Sequence, residues 1–322
     1  MEIKQYDSME ELLGGRTSRY FAEAFRHYHV PMDMLTESGN TITGMINVCY
    51  DGPARPRNED VHLGSLEYTA LVMRLGGHAL NRLGMIAPSD IARGFASSVD
   101  VKISRSLGTG QIPVRCRLLA SRNGLNCVQG TCSTIEVDIG GNRCKVTIDH
   151  RGGKRYLVLP EAQKMADTDG ETQLYGTGYR TRGLHISDVA IDISQRFICA
   201  TFEYDPMFLE ETYEGIGTAR HMLLPTESIQ LFGQLMQALL YQMDSTDRES
   251  CPNIWLRTMS LRCQRPLFGT SGHAFVQFDR IQTIVSGGIT WQIIDLTGQV
   301  GNYHGRFRVA HKKDKVYVFK LN

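Results

Sequence analysis

The chain has 322 residues, 42% of them hydrophobic and 21% charged, the make-up of a globular protein with a full core and room for two ordinary domains. Its 35 Lys and Arg against 34 Asp and Glu leave a net charge of +1, so charge gives no reason to expect a nucleic-acid or acidic-membrane partner. Residues 1–7 have no basic start followed by an apolar run, and no segment nears the roughly 20 apolar residues of a membrane span; no signal peptide, no membrane insertion and a cytoplasmic location are expected.

In chain order, Ser8 with Glu11 three residues on has the pattern of a capping box opening a short helix. An aromatic-basic segment follows, Arg19-Tyr20-Phe21 to Phe25-Arg26. Residues 41–50 alternate as a strand does, and Pro53 and Pro56 prevent its continuation because proline removes ladder donors. Residues 64–84 predict a helix that is apolar nearly all round: Leu66, Ala70, Leu71, Met73, Leu75, Ala79, Leu80 and Leu83 fit no single stripe. Such a helix must be wrapped on most sides. Residues 95–150 supply the wrapping as successive antiparallel strands over 96–107, 111–120, 127–139 and 143–148. Asn123-Gly124 is a two-residue hairpin signal, and Gly140-Gly141-Asn142 a second turn. The run 156–159 and a linker from Pro160 to about residue 170 close the first half.

The second half repeats the order at an offset of about 160 residues, too long for a solenoid period. A second apolar helix is expected over 226–243, Glu227 stands where Glu67 stood, Gly287-Gly288 where Asn123-Gly124 stood, and His311 where His150 stood. The expectation is an α+β chain of two duplicated units, 1–160 and 171–322, each with its own antiparallel sheet around a central helix and the two related by a pseudo-twofold axis.

The two helix entrances hold the residues with chemistry. His62-Leu63-Gly64-Ser65-Leu66-Glu67 and His221-Met222-Leu223-Leu224-Pro225-Thr226-Glu227 each put a histidine and a carboxylate beside amides that have no partner within the helix. Those amides and the helix dipole favour developing negative charge, and an imidazole titrates near neutral pH. Glu67, His62, Glu227 and His221 are therefore the candidate catalytic groups. Gly64, Ser65 and Thr226 are candidates to admit or contact substrate, with Ser65 or Thr226 as possible caps. Gln230, Gln234 and Gln237 make the second helix more polar along one side, which suits a sugar; the first helix suits a hydrocarbon. His78, inside the first helix, is expected to be a packed core histidine. Eight cysteines include no Cys-x-x-Cys pair, so neither a metal nor a disulfide is expected; no cofactor motif, Gly-x-Ser-x-Gly elbow or His-Glu-x-x-His helix is present.

A central helix wrapped by an antiparallel sheet, present twice, resembles a double hotdog, and His62 followed five residues on by Glu67 resembles the His-x-x-x-x-Asp entrance of polyketide dehydratases. The whole chain resembles the avirulence protein D (AvrD) family of bacterial proteins. The residues that carry it are Leu12-Leu13-Gly14-Gly15-Arg16-Thr17-Ser18-Arg19-Tyr20-Phe21 with Phe25-Arg26, the block Tyr175-Gly176-Thr177-Gly178-Tyr179-Arg180, and the two helix entrances. The resemblance implies syringolide-type elicitor biosynthesis, a secondary metabolism joining a β-ketoacyl thioester of acyl carrier protein or coenzyme A to a small ketosugar such as xylulose. The A-factor synthase-like butyrolactone enzymes look like chemical relatives. The implied activity is acyl transfer to a sugar hydroxyl followed by intramolecular aldol closure. A hotdog dehydratase or thioesterase, or a non-catalytic acyl-ligand binder, stands as the alternative.

Overall fold

The computed structural model describes residues 3–17, 19–32, 35–54, 60–87, 94–124, 127, 130–151, 180, 182–205, 223–245, 254–265 and 269–313. Its elements in chain order are β1 (Ile3–Ser8), α1 (Met9–Leu13), a short 3-10 turn (Ala24–His27), β2 (Tyr28–His29), β3 (Thr36–Ser38), β4 (Thr41–Tyr50), α2 (Ser65–Arg82), β5 (Phe95–Lys102), β6 (Gly110–Asn123), β7 (Gly130–Ile139) and β8 (Asn142–Arg151). The second half continues with β9 (Leu184–Asp192), β10 (Phe197–Tyr204), α3 (Pro225–Asp244), β11 (Ile254–Cys263), β12 (Ser271–Ser286), β13 (Ile289–Val300) and β14 (Tyr303–Lys313). The run at 156–159, the linker, the 175–179 block and His221 lie outside the described residues.

The all-round apolar character of α2 is matched by all-round burial: every residue from Leu66 to Leu80 is buried except Arg74. In α3 every residue from Pro225 to Tyr241 is buried except Gln237. Each buried Leu, Ile or Phe contributes about 1.5–3 kcal/mol, so these two helices anchor the core. No described helix is long and apolar enough to cross a membrane.

All strand pairings are antiparallel, in the order β1-β9-β10-β12-β13-β14-β11-β5-β8-β7-β6-β4-β2, with β3 beside β4. Outward from the β11–β5 junction the order is β5-β8-β7-β6-β4 on one side and β11-β14-β13-β12-β10 on the other, with α2 packed on the first set and α3 on the second. This α+β arrangement fits a double hotdog. It differs from the expected two sheets in being one continuous sheet, because β5 and β11 exchange a ladder from Ser98↔Arg262 to Lys102↔Thr258.

Three local expectations are also corrected. β5 does not neighbour β6; it crosses to lie between β8 and β11, where both its edges find partners. Strand β6 runs on through Asn123, which pairs with Thr131, so Asn123-Gly124 is not a two-residue hairpin. Ser8 occupies the N-cap of α1 without a side-chain cap bond, while Glu11 reaches past it to the Asp7 amide. The β7–β8 turn is as read: Gly140 and Gly141 have φ of 55° and 88°, the doubly left-handed pair that a tight hairpin demands. β1, from the first half of the chain, is hydrogen-bonded to β9 of the second.

His78 is buried in α2 as expected, and burial, reinforced by Arg74 and Arg82, holds its pKa down at about 4 against an ordinary 6.5. The unfolded chain therefore binds a proton below about 6.5 that the folded chain refuses until about 4, so stability is full above that window and falls as pH drops through it. His78→Gln is expected to flatten the dependence of urea midpoint on pH between these limits, removing a slope worth on the order of 3 kcal/mol.

Candidate functional site

The two N-caps are Gly64 and Leu224, so neither Ser65 nor Thr226 caps its helix; they fall at the first and second helical positions. Each cap is served by the glutamate three residues on. Glu67 Oε2 accepts the Gly64 N–H at 3.1 Å, and Glu227 Oε2 accepts the Leu224 N–H at 2.8 Å. Both carboxylates are only 1% exposed, and burying a charge is costly unless donors meet it.

The donors differ between the halves. The Tyr20 hydroxyl donates to Glu67 and itself accepts the Leu66 N–H at 3.2 Å. At the second helix, Arg182 donates through Nη1 to Glu227, forming a buried ion pair. Arg182 is further held by the Asp205 carbonyl at 2.9 Å and lies over the Tyr204 ring. Glu227 is thus a carboxylate matched by a guanidinium, whereas Glu67 is coupled to a phenol. Gly64 is needed for this coupling, since a Cβ there would overlap the Tyr20 hydroxyl.

A cavity opens at the start of α2, with about 950 Å³ of empty space including its mouth. Tyr20, His62, Gly64, Ser65, Tyr68 and Ser106 make one end polar; Ile229, Phe232 and Met236 of α3 and Leu296 and Val309 of the sheet make the other apolar. Gln237 lines it too, which explains why that residue alone escapes burial between Pro225 and Tyr241. His62 stacks on Trp255 with ring centroids 4.5 Å apart, and its Nδ1 lies 3.2 Å from the Asp60 carbonyl oxygen.

Of the residues expected at the site, His62, Gly64 and Ser65 therefore line the cavity, and Glu67 lies one hydrogen bond behind Tyr20. Glu227 does not line it. Gln230 and Gln234 do not line this cavity: Gln230 Oε1 accepts from the Tyr204 hydroxyl at 3.3 Å, and Gln234 accepts from Arg19 and donates to the Phe21 carbonyl. Thr226 does not line the cavity either; its hydroxyl and the Gln230 side-chain NH2 are buried with no hydrogen-bond partner among the described residues. Ile229, Phe232 and Met236 of α3 thus share the apolar lining with residues of the sheet, on the helix expected to face the sugar. His221 lies outside the described residues.

Tyr68, Tyr20 and Trp255 were not among the expected site residues. Tyr68 is held by Asn142, whose Oδ1 accepts the Ser104 and Arg105 amides at 2.8 and 3.2 Å. Those two amides settle which way the Asn142 side chain points, so its Nδ2 must face Tyr68, donating to the phenol oxygen at 2.6 Å. The Tyr68 proton is left to be donated to another acceptor, and burial pushes this phenol well above its usual range, so it stays protonated. The aromatic-basic segment around Tyr20 was visible in sequence; nothing there told which ring would meet Glu67.

A family model described as Pseudomonas avirulence D protein (AvrD) matches residues 4–313. None of the curated proteins compared matches the chain. Among solved structures, an acyl-CoA thioesterase II from Mycobacterium marinum is similar at 13% identity, covering 87% of this chain and 95% of that one with a TM-score of 0.37. A MaoC-like dehydratase from Phytophthora capsici is similar at 13% identity, covering 72% and 75% with a TM-score of 0.32.

The two glutamates should respond differently to loss of their donors. Arg182→Ala strips a guanidinium from a buried carboxylate and is expected to cost about 3–5 kcal/mol in a denaturant titration. Tyr20→Phe removes the hydrogen bond to the Glu67 carboxylate, about 1.5–3 kcal/mol, together with the acceptor of the Leu66 N–H. Equal losses in the two variants would refute this account of the two helix starts.

Proposed function

The chain belongs to the AvrD family, and we propose that it joins a β-ketoacyl thioester to a small ketosugar by acyl transfer, followed by aldol closure to a syringolide-type precursor. The observation that carries this reading is a single cavity, polar at the start of α2 and apolar along α3, with a buried carboxylate coupled to it through a phenol. We also read the mirrored strand order as a duplication, with units 1–160 and 171–322 each supplying one wall of the cavity.

In this mechanism the acyl chain lies against Ile229, Phe232 and Met236, and the thioester carbonyl meets the Tyr68 hydroxyl. Tyr68 suits that role because Asn142 occupies its oxygen and leaves its proton for the oxyanion that forms when the carbonyl is attacked. The sugar hydroxyl gives its proton to Tyr20 Oη while the Tyr20 proton passes to Glu67. The carboxylate thus serves as the base without itself touching substrate. The tetrahedral intermediate collapses, the carbon–sulfur bond breaks, and the departing thiolate takes a proton from His62 at the mouth. In the β-keto ester so formed, the carbon between the two carbonyls is acidic. The same relay, reset by proton exchange with water, removes that proton, the carbanion attacks the ketone carbon of the sugar, and the resulting alkoxide takes the proton back. Acyl carrier protein and coenzyme A both present the required thioester, and no metal or redox cofactor enters the chemistry.

Purified protein given a β-ketoacyl thioester should release thiol only when a ketopentose is present. Thiol release without sugar would make it a thioesterase, loss of water from a hydroxyacyl thioester a dehydratase, and no turnover with retained binding an acyl-ligand binder. Glu67→Gln and Tyr20→Phe are each expected to lower kcat by roughly 10²–10⁴. Combining them should cost little more than either alone, because the two residues act in series. Tyr68→Phe should lower kcat by about 10²–10³ with KM nearly unchanged, as removal of an oxyanion donor does.

A further inference from the structure

Outside the cavity lining, the fold brings together side chains that the sequence spacing did not connect. Cys132 of β7 and Asp149 of β8 are directly paired across the ladder, on the face of the sheet turned away from α2. Both are buried, at 7% and 2% exposure. Cys127, in the connection between β6 and β7, brings a third donor, and the three ligand atoms all lie within 4.8 Å of one another. We propose that Cys127, Cys132 and Asp149 form a binding site for a thiophilic divalent cation, Zn²⁺ foremost.

One edge of the triangle has the length a tetrahedral site requires. With Zn–S near 2.3 Å and Zn–O near 2.0–2.2 Å, tetrahedral angles put sulfur and oxygen ligands about 3.6 Å apart. The Cys132 Sγ to Asp149 Oδ2 distance is 3.6 Å. Two of the ligands stand on adjacent strands of a continuous sheet, so their separation is set by the ladder. The third is placed by the backbone, because the Cys127 N–H donates to Gly124 O at 3.0 Å and Gly130 N–H donates to Cys127 O at 3.3 Å. Two thiolates and a carboxylate are a donor set that selects zinc over magnesium or calcium, and water completes the fourth position. Binding releases the two thiol protons and leaves the site with one net negative charge. Asp149 lies at the opposite end of β8 from Asn142, the residue that holds Tyr68 at the cavity, so the ion acts as a clamp on the β6–β7 connection.

The test uses the full-length protein, stripped with a chelator under reducing conditions and titrated with Zn²⁺ against a chromophoric competitor, then with Co²⁺. Expected are one Zn²⁺ per chain, a rise in Tm on binding, and thiolate-to-cobalt charge-transfer absorption with the intense visible bands of a tetrahedral site. Cys132→Ser and Asp149→Asn should each weaken binding by more than the roughly 10–100-fold that an outer-shell partner alone is worth. Should a buried substitution prevent folding, Cys127→Ser, in the connecting segment, gives the same readout. Cys49→Ser, at an exposed cysteine elsewhere, should leave affinity unchanged. Cobalt spectra of the aquo ion, a zinc affinity indifferent to Cys127→Ser, or a mass two hydrogens short after reducing purification, indicating a Cys127–Cys132 disulfide, would each overturn the proposal.

Discussion

Two carboxylates buried at the starts of two buried helices are the constraint on which the centre of this molecule depends. Glu67 and Glu227 sit where the helix dipole favours them, but at 1% exposure the dipole alone is worth too little to offset desolvation. Each needs donors from outside its helix, and meeting that need fixes chain segments that have no regular structure of their own. Tyr20 comes to α2 and Arg182 to α3, and the neighbours of Tyr20 follow it. Phe21 lies against Gly233 of α3 and Arg19 bonds Gln234, so one short segment spans both helices and walls the cavity.

The choice of donor separates the two halves chemically. A guanidinium against Glu227 forms a buried ion pair. A phenol against Glu67 shares a proton with it and turns its oxygen toward a cavity. A sheet with mirrored strand order thus carries two helix starts of similar build, one carboxylate met by a guanidinium and the other by a phenol that lines the cavity.

The junction between β5 and β11 has an equally direct consequence. Because the halves share one ladder there, the start of α2 faces the flank of α3, and a single cavity draws its polar end from one helix and its apolar wall from the other. Two separate sheets could meet at many angles; a shared ladder of backbone hydrogen bonds permits only one register.

Local pattern was enough for the two long helices and for the strands over 41–50 and 95–150. The absence of a single apolar stripe over 64–84 meant a wrapped helix, alternation meant the strands, Gly140-Gly141 meant a tight turn, and the aromatic-basic segment with the helix entrances pointed to the AvrD family. Side-chain periodicity carries this information because it states which faces must leave water. It does not state what those faces meet. That β5 pairs with β11 and not β6, that Gln230 and Gln234 turn toward protein while Gln237 faces the cavity, and that Tyr20 reaches Glu67 across 47 residues were decided by tertiary packing. So was the meeting of Cys127, Cys132 and Asp149, whose chain spacing fits no familiar ligand motif. A hydrogen bond or ligand set between distant residues depends on the register of the strands and the angle of the helices that carry them, and those are properties of the assembled core, not of any stretch of sequence within it.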